Sequence, residues 1–193
     1  MKPDPYDTKM AKKLMADAGY PDGFKMTIHG PNDRYINDAK IAEALAQMLN
    51  RVGIEASVET MPKAVYFKRA SRGGPDKSPE FSFMLLGWGA GSGEASSPLK
   101  ALLHTYDKSK GLGAANRGRH SDAEVDKLVK QALATVDADA RGALLAKATE
   151  KAVGENYGVI PMHYQVNTWA AKAGYKYLPR TEERTIVTAL STN

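Results

Sequence analysis

"FKMTIHGPNDRYINDAKIAEALAQMLNRVGIEASVE", residues 24–59, decides the fold class, because the period of its apolar residues changes twice. Phe24, Met26 and Ile28 alternate with Lys25, Thr27 and His29, the two-residue period of a half-buried strand. Ile41, Leu45, Leu49 and Val52 then follow helical spacing, and Gly53 closes that helix. Ile54, Ala56 and Val58 return to alternation with Glu55, Ser57 and Glu59. A strand, a helix and a second strand in direct succession predict an α/β domain.

The same reading extends outward. Upstream, "DPYDTKMAKKLMADAGYPDG" predicts a helix with Asp4 or Asp7 as its cap, Met10, Leu14 and Ala18 on one face, and Gly19 as its stop. Downstream, "PKAVYFKRAS" predicts a short helix opened by Pro62. "FSFMLLGW" is nearly continuous in apolar residues, the pattern of a strand covered on both faces. The second half is more helical. "SDAEVDKLVKQALATV" opens with Ser121 and Glu124 at capping-box spacing, and "DADARGALLAKATEKAVGENYG" is a further helix capped by Asp137 or Asp139. "VIPMHYQVNTWAA" predicts a strand with an edge or bulge at Pro161. The last residues, "TEERTIVTALSTN", hold a short β-like run without an evident partner.

Composition narrows the functional classes. The 193 residues suffice for one domain with a sizeable core, and no apolar run approaches the roughly 20 residues of a membrane-spanning helix. The opening "MKPDPYDTKMAKK" is polar and lacks the apolar core of a secretory leader. With no cysteine in the chain, disulfides and thiol chemistry are excluded. The net charge of +5 is spread along the chain. The two densest basic stretches, Lys63 to Arg72 and Lys108 to Arg119, hold four basic residues each and read first as solvated faces. A small basic nucleic-acid-binding domain is the competing reading, and it requires salt-dependent binding to generic DNA.

The Gly-rich stretch "LLGWGAGSGEASS", residues 85–97, invites a phosphate-binding or nucleophile reading, and each fails by a countable misplacement. A P-loop needs Lys and then Ser or Thr directly after its last glycine, and the chain has no such triplet. A dinucleotide fingerprint begun at Gly87 or Gly89 meets Ser92 or Glu94 where its third glycine belongs, and one begun at Gly111 meets Asn116. A nucleophile elbow centred on Ser92 finds Ala90 and Glu94 in place of its glycines. His29, His104, His120 and His163 share no metal-ligand spacing and read as surface or strand histidines. No catalytic constellation, metal or cofactor is predicted, although a small enzyme of another type remains a formal alternative. What remains is a set of polar, aromatic and Gly-rich loops, "GPNDRY", "GWGAGSGEASS" and "GLGAANRGRH". In α/β sheets ligands settle beyond the carboxyl ends of the strands, and Trp88 there would present an apolar face beside open amides. The competing role for Trp88 is to cap the core at a strand end.

The order of these motifs resembles a known family. "DTKMAKKLMADAGYPDGF", "INDAKIAEALAQMLNRVGIEASVE", "PKAVYFKRA", "LLGWGAGSGEASSPLKALL", "GLGAANRGRHSDAEVDKLVKQA" and "VIPMHYQVNTWAAKAG" are similar, in that order, to the C-terminal half of family 5 solute-binding proteins, the dipeptide, oligopeptide and nickel class of ABC importers. The resemblance implies the C-terminal lobe of a type II periplasmic-binding-protein-like fold, a mixed sheet flanked by helices, over residues 1–184. It implies that the tail, 185–193, crosses to an N-terminal lobe, and that the chain is one lobe of a longer two-lobed protein, without export signal. The implied function is capture of a peptide or other small solute in the periplasm, between two closing lobes, for delivery to a permease of the inner membrane. The implied activity is binding, not catalysis. Self-association of the isolated lobe is also implied, through its uncovered interlobe face.

Site residues follow from the same resemblance. The family's Trp after the third strand matches Trp88. Peptide binders carry an acid three residues later for the peptide ammonium, and here that position is Gly91, with Glu94 the nearest acid. The Arg that takes a dipeptide's carboxylate aligns at or near Asn32, with Arg34 two residues away. Asn116 and Arg117 match the stretch before the second-half helices, and are expected either to face the cleft or to brace their loop.

Overall fold

The computed structural model describes residues 4–91, 93–180 and 184–192. Helix α1 (Thr8–Asp17) is capped by Asp7, whose Oδ1 accepts from the amides of Lys9 and Met10, both at 2.9 Å. Its apolar face stays uncovered, Met10 being 50% and Leu14 58% exposed. Strand β1 (Lys25–Pro31), helix α2 (Asp38–Arg51) and strand β2 (Glu55–Met61) follow as predicted, and the strands pair in parallel from Lys25–Glu55 to Pro31–Met61. Gly19 (φ +90°) and Gly53 (φ +100°) end the two helices in left-handed conformations that a side chain would strain.

Helix α2 meets this pair through Ala42 and Ala46, small buried residues that let it approach closely, with Leu45 and Leu49 flanking. They pack on Ile28, Met26, Ala56 and Val58. Helix α3 (Lys63–Arg72) buries Tyr66 and Ala70 against Met61 and Phe81. The second half is a helical layer of α4 (Ser96–Pro98), continued by a wide turn Leu99–Leu103, α5 (Ala123–Ala134) and α6 (Ala138–Thr149), continued by a second wide turn Glu150–Glu155. Val125, Val129, Leu145, Ala148 and Ala152 form its core with Leu99 and Leu103. Strands β3 (Tyr175–Tyr177) and β4 (Leu190–Thr192) make an antiparallel pair, so the tail's β-like run finds a partner 15 residues upstream.

Four local expectations are corrected. The Phe81–Trp88 run forms a single bridge, Met84 to His29, held by His29 N to Phe83 O (3.0 Å) and Leu85 N to His29 O (2.8 Å). Its apolar pattern is satisfied, since Phe81 and Leu85 are buried, yet it leaves β1 at Gly87, where the Tyr35 ring occupies the space of a side chain. The 159–171 segment forms no strand. No backbone hydrogen bond joins 160–171 to another described segment, and a strand exists only through a ladder partner. The capping box is not made: α5 starts one residue later than that pattern requires, so Asp122 caps it through Glu124 N (2.8 Å) and Val125 N (2.9 Å). Ser121 instead shares a hydrogen bond with Thr105 Oγ1 (2.8 Å). Finally, His104 is buried, facing Asp126 Oδ1 at 3.3 Å and Thr105 O at 2.8 Å through Nδ1, because the 104–120 loop folds across α5.

Candidate functional site

The carboxyl ends of β1 and of the Phe81–Leu85 segment converge on one surface, and a buried carboxylate builds it. Asp38, at the start of α2, accepts from the amides of Arg34 (2.9 Å) and Tyr35 (3.0 Å) through Oδ2 and from Ala39 (2.9 Å) through Oδ1. Three amide donors satisfy a group that would otherwise be costly to bury. Asp33 Oδ1 accepts from Lys63 N at 2.6 Å, so the loop after β1 is pinned to the first residues of both α2 and α3.

Tyr35 carries that loop onto the Gly-rich one. Its phenol donates to Gly87 O at 3.4 Å, and a Cβ at Gly87 would lie 2.6 Å from its Cε1. The Arg34 guanidinium lies over the Tyr35 ring, 4.8 Å from its centroid. From below, the buried Tyr66 hydroxyl donates to Leu85 O at 2.6 Å, and burial pushes its pKa well above the ordinary phenol value. Leu85 is thus fixed and Trp88, three residues on, stands 45% exposed. That exposure argues against a core cap. A third segment joins where Ile36 N donates to Gln165 Oε1 (3.4 Å), while Gln165 Nε2 donates to Asn167 Oδ1 (2.8 Å).

Of the residues singled out from sequence, Arg34 lies over Tyr35, and Tyr35 packs against Gly87, the residue before Trp88. Asn32 lies exposed at the end of β1, its amide bonded to Met61 O (3.1 Å). Gly91 is exposed with open space around it, and Ser92 lies outside the described residues. Glu94 accepts from Ser96 Oγ (2.7 Å) and Arg141 Nε (2.9 Å), bonds that hold its carboxyl below the usual range and brace the Gly-rich loop against α6. Asn116 is buried and braces its own loop: Nδ2 donates to His104 O (3.0 Å) and His120 O (2.7 Å), and Oδ1 accepts from His120 N (3.0 Å). Arg117 donates to Ser71 Oγ (3.1 Å) and lies over Phe67, so this pair is anchored to α3 rather than to the Trp88 loop.

Tyr35 and Gln165 were not singled out. Tyr35 was visible as the aromatic of "GPNDRY", whereas Gln165 joins the loop from 129 residues away, a distance no local pattern bridges. Among the described residues no group of three or more His, Asp or Glu could hold a metal ion. No described helix is long and apolar enough to cross a membrane.

The family model described as bacterial extracellular solute-binding proteins, family 5 middle, matches residues 1–110, more than half of the chain. The chain belongs to that family. Among family 5 relatives, the glutathione-binding protein GsiB of Escherichia coli K12 is 31% identical over 163 residues, covering 83% of this chain and 30% of GsiB. The periplasmic binding protein DppA of Helicobacter pylori, solved with the peptide STSA, superposes with a TM-score of 0.70 at 28% identity, over 82% of this chain and 29% of DppA. Haemophilus influenzae OppA, solved with the peptide RPPGFSPFR, gives 0.70 at 25%, over 88% and 31%. The family 5 fold is therefore that of the periplasmic binding proteins, and these relatives are binding proteins. The chain spans less than a third of the length of each of these three.

Proposed function

We propose that this chain forms one wall of the solute cleft of an ABC-importer binding protein, with Trp88 as the apolar face and Arg34, set on Tyr35, as the cation beside it. The observation that carries the reading is the exposure of Trp88 on a loop that Tyr66 and Tyr35 fix from beneath, at the carboxyl ends of the parallel strands. A half-exposed indole on an anchored loop suits an organic solute, whose burial would release the water it now contacts. Capture then proceeds by closure: the ligand bridges this lobe and a second one and stabilises the closed state.

The 159–171 segment supports a partner outside the chain. Ile160, Met162, Tyr164 and Val166 alternate along it and are 63%, 44%, 99% and 77% exposed, the pattern of a strand awaiting a neighbour. The rest of a two-lobed protein is the neighbour we propose, with the 185–193 tail at the lobe boundary; in the isolated chain this segment drives self-association. The whole protein works in the periplasm and hands its solute to an inner-membrane permease. Relatives that bind glutathione or peptides direct the ligand toward that class. Gly91 offers no acid for an ammonium group, and Glu94 is engaged by Arg141. The lobe therefore holds the body or carboxylate of such a ligand, and its amino end finds its counter-charge elsewhere.

A Trp169→Phe variant leaves Trp88 as the single indole, so its fluorescence reports the proposed wall alone. Titration with glutathione and a set of di- and tripeptides is expected to give a saturable change, weak in the isolated chain, and lost in Arg34→Gln. Titrations that leave Trp88 emission flat for every ligand, while calorimetry detects binding, would place the site elsewhere and overturn the proposal.

A further inference from the structure

The two densest basic stretches, separate in sequence, meet in the folded chain. The carboxyl end of α3 supplies Arg72, the following turn supplies Lys77, and the loop from Tyr106 to Arg119 supplies Lys108, Arg117 and Arg119. Together they line a cleft of about 320 Å³ whose lining includes no carboxylate. None of the five cations makes an ion pair among the described residues. Two nearby acids face other partners, and Asp76, beside Lys77 in the turn, is not part of the lining. Asp107 accepts from Ser109 N (3.0 Å), Ser109 Oγ (2.6 Å) and Lys110 N (3.2 Å), and Glu80 is clasped by Arg69.

The cations are also positioned. Arg117 is fixed by Ser71 Oγ (3.1 Å) and the Phe67 ring. Arg119 lies over the Tyr106 ring at 4.1 Å and donates to Asn116 O at 3.3 Å. Asn116, buried, ties that loop together. Lys77 (φ +59°) and Arg119 (φ +56°) hold left-handed backbone conformations that side-chain-bearing residues adopt at a cost. Five cations gathered in one concavity repel one another, and an anion seated among them removes that repulsion. Guanidinium forks match the oxygens of phosphate, and lysine ammoniums add charge without directional demand.

We infer that this cleft is a second binding site, taking a phosphate-type oxyanion, separate from the Trp88 wall. Helix α3 begins at Lys63, bonded to the loop beneath that wall, and ends at Arg72 in the cleft. Its ten residues span about 15 Å, which keeps the two sites apart.

Inorganic pyrophosphate, titrated into the chain by calorimetry at low and at physiological salt, is the probe. One ion per chain is expected to bind at both salts, because paired charges within a cleft are screened less than distant ones. Arg72→Gln with Lys108→Gln removes two exposed cations that have no hydrogen bond in the structure, and is expected to weaken binding about a hundredfold, roughly tenfold per charge. Lys12→Gln with Lys40→Gln makes the same change of net charge on α1 and α2, and is expected to leave affinity within about twofold. Equal losses in the two double variants would mean diffuse attraction to a basic protein and overturn the site, as would absence of saturable binding at low salt. Cosedimentation with phosphatidylglycerol vesicles that pyrophosphate competes away identifies a lipid headgroup as the source of the oxyanion. Ion binding without cosedimentation identifies a soluble phosphate ester.

Discussion

Gly87→Ala tests how Tyr35 couples the loop after β1 to the Trp88 loop. An added Cβ would sit 2.6 Å from Tyr35 Cε1 and 3.1 Å from both Cδ1 and Cζ. Carbon contacts relax at about 3.5–4.0 Å, so the ring must move by roughly an ångström. Overpacking of this kind costs about 1–3 kcal/mol. The phenol bond to Gly87 O, long at 3.4 Å, adds little to that. Gly87 is not among the glycines with positive φ, so an alanine backbone fits, and in the absence of the clash the substitution stabilises by about 0.4–1 kcal/mol through the unfolded chain. The sign of the effect therefore depends on Tyr35. In the wild-type background Gly87→Ala is expected to destabilise and to alter Trp88 emission; in a Tyr35→Ala background it is expected to be neutral or stabilising. Urea unfolding of the four proteins of this double-mutant cycle gives the coupling, expected at about 1–3 kcal/mol. Additivity within about 0.5 kcal/mol would refute the contact as the element that joins the two loops.

Two further outcomes follow from single side chains. Tyr66→Phe keeps the packing against Phe81 but leaves Leu85 O without its buried donor, and is expected to cost about 1–3 kcal/mol, read as a lowered thermal midpoint. An unchanged midpoint would show that the hydroxyl does not fix the base of the Trp88 loop. Asp122→Ala removes the cap of α5 at about 1 kcal/mol near neutral pH. The amide of Val125, followed by Asn156, holds the Asp122 carboxyl below its ordinary range. A depressed folded-state pKa contributes stability above the unfolded value of about 4, and that contribution fades as pH falls through the folded value. The stabilities of wild type and variant are therefore expected to converge on acidification, and a gap that persists undiminished at the acid end would contradict the linkage.

Local features were legible in the sequence wherever one residue or one period decides them. Asp7 and Asp137 cap their helices, and Gly19 and Gly53 stop theirs, because each acts on the backbone within a turn of itself. The alternation over residues 24–28 and 54–58 marked β1 and β2, since a strand with one covered face must alternate. Failure came mostly where a pattern needs a distant partner, and at α5 where the neighbouring Asp122 took the cap from Ser121. The apolar run at Phe81–Trp88 reported burial correctly, but burial does not specify a ladder, and Tyr35 claims the space at Gly87. The 159–171 run alternates as a strand would, yet no described backbone forms a hydrogen-bonded ladder with it.

The candidate site divides in the same way. The Trp88 loop was singled out on composition, an aromatic among glycines and polar residues after an apolar run. Whether Glu94 stood open or bound was decided by Arg141, 47 residues on, and Asn116 was directed inward by the carbonyls of His104 and His120. The sequence by itself determined the α/β class, most of the helix ends, the strands β1 and β2, and the failure of every phosphate-loop and nucleophile motif, all properties of neighbouring residues. Tertiary structure alone decided that Glu94 is engaged by Arg141, that Tyr35 packs against Gly87, and that two basic stretches form one cleft. Those are pairings between residues far apart in the chain, chosen by competition for space and hydrogen bonds that no one-dimensional period records.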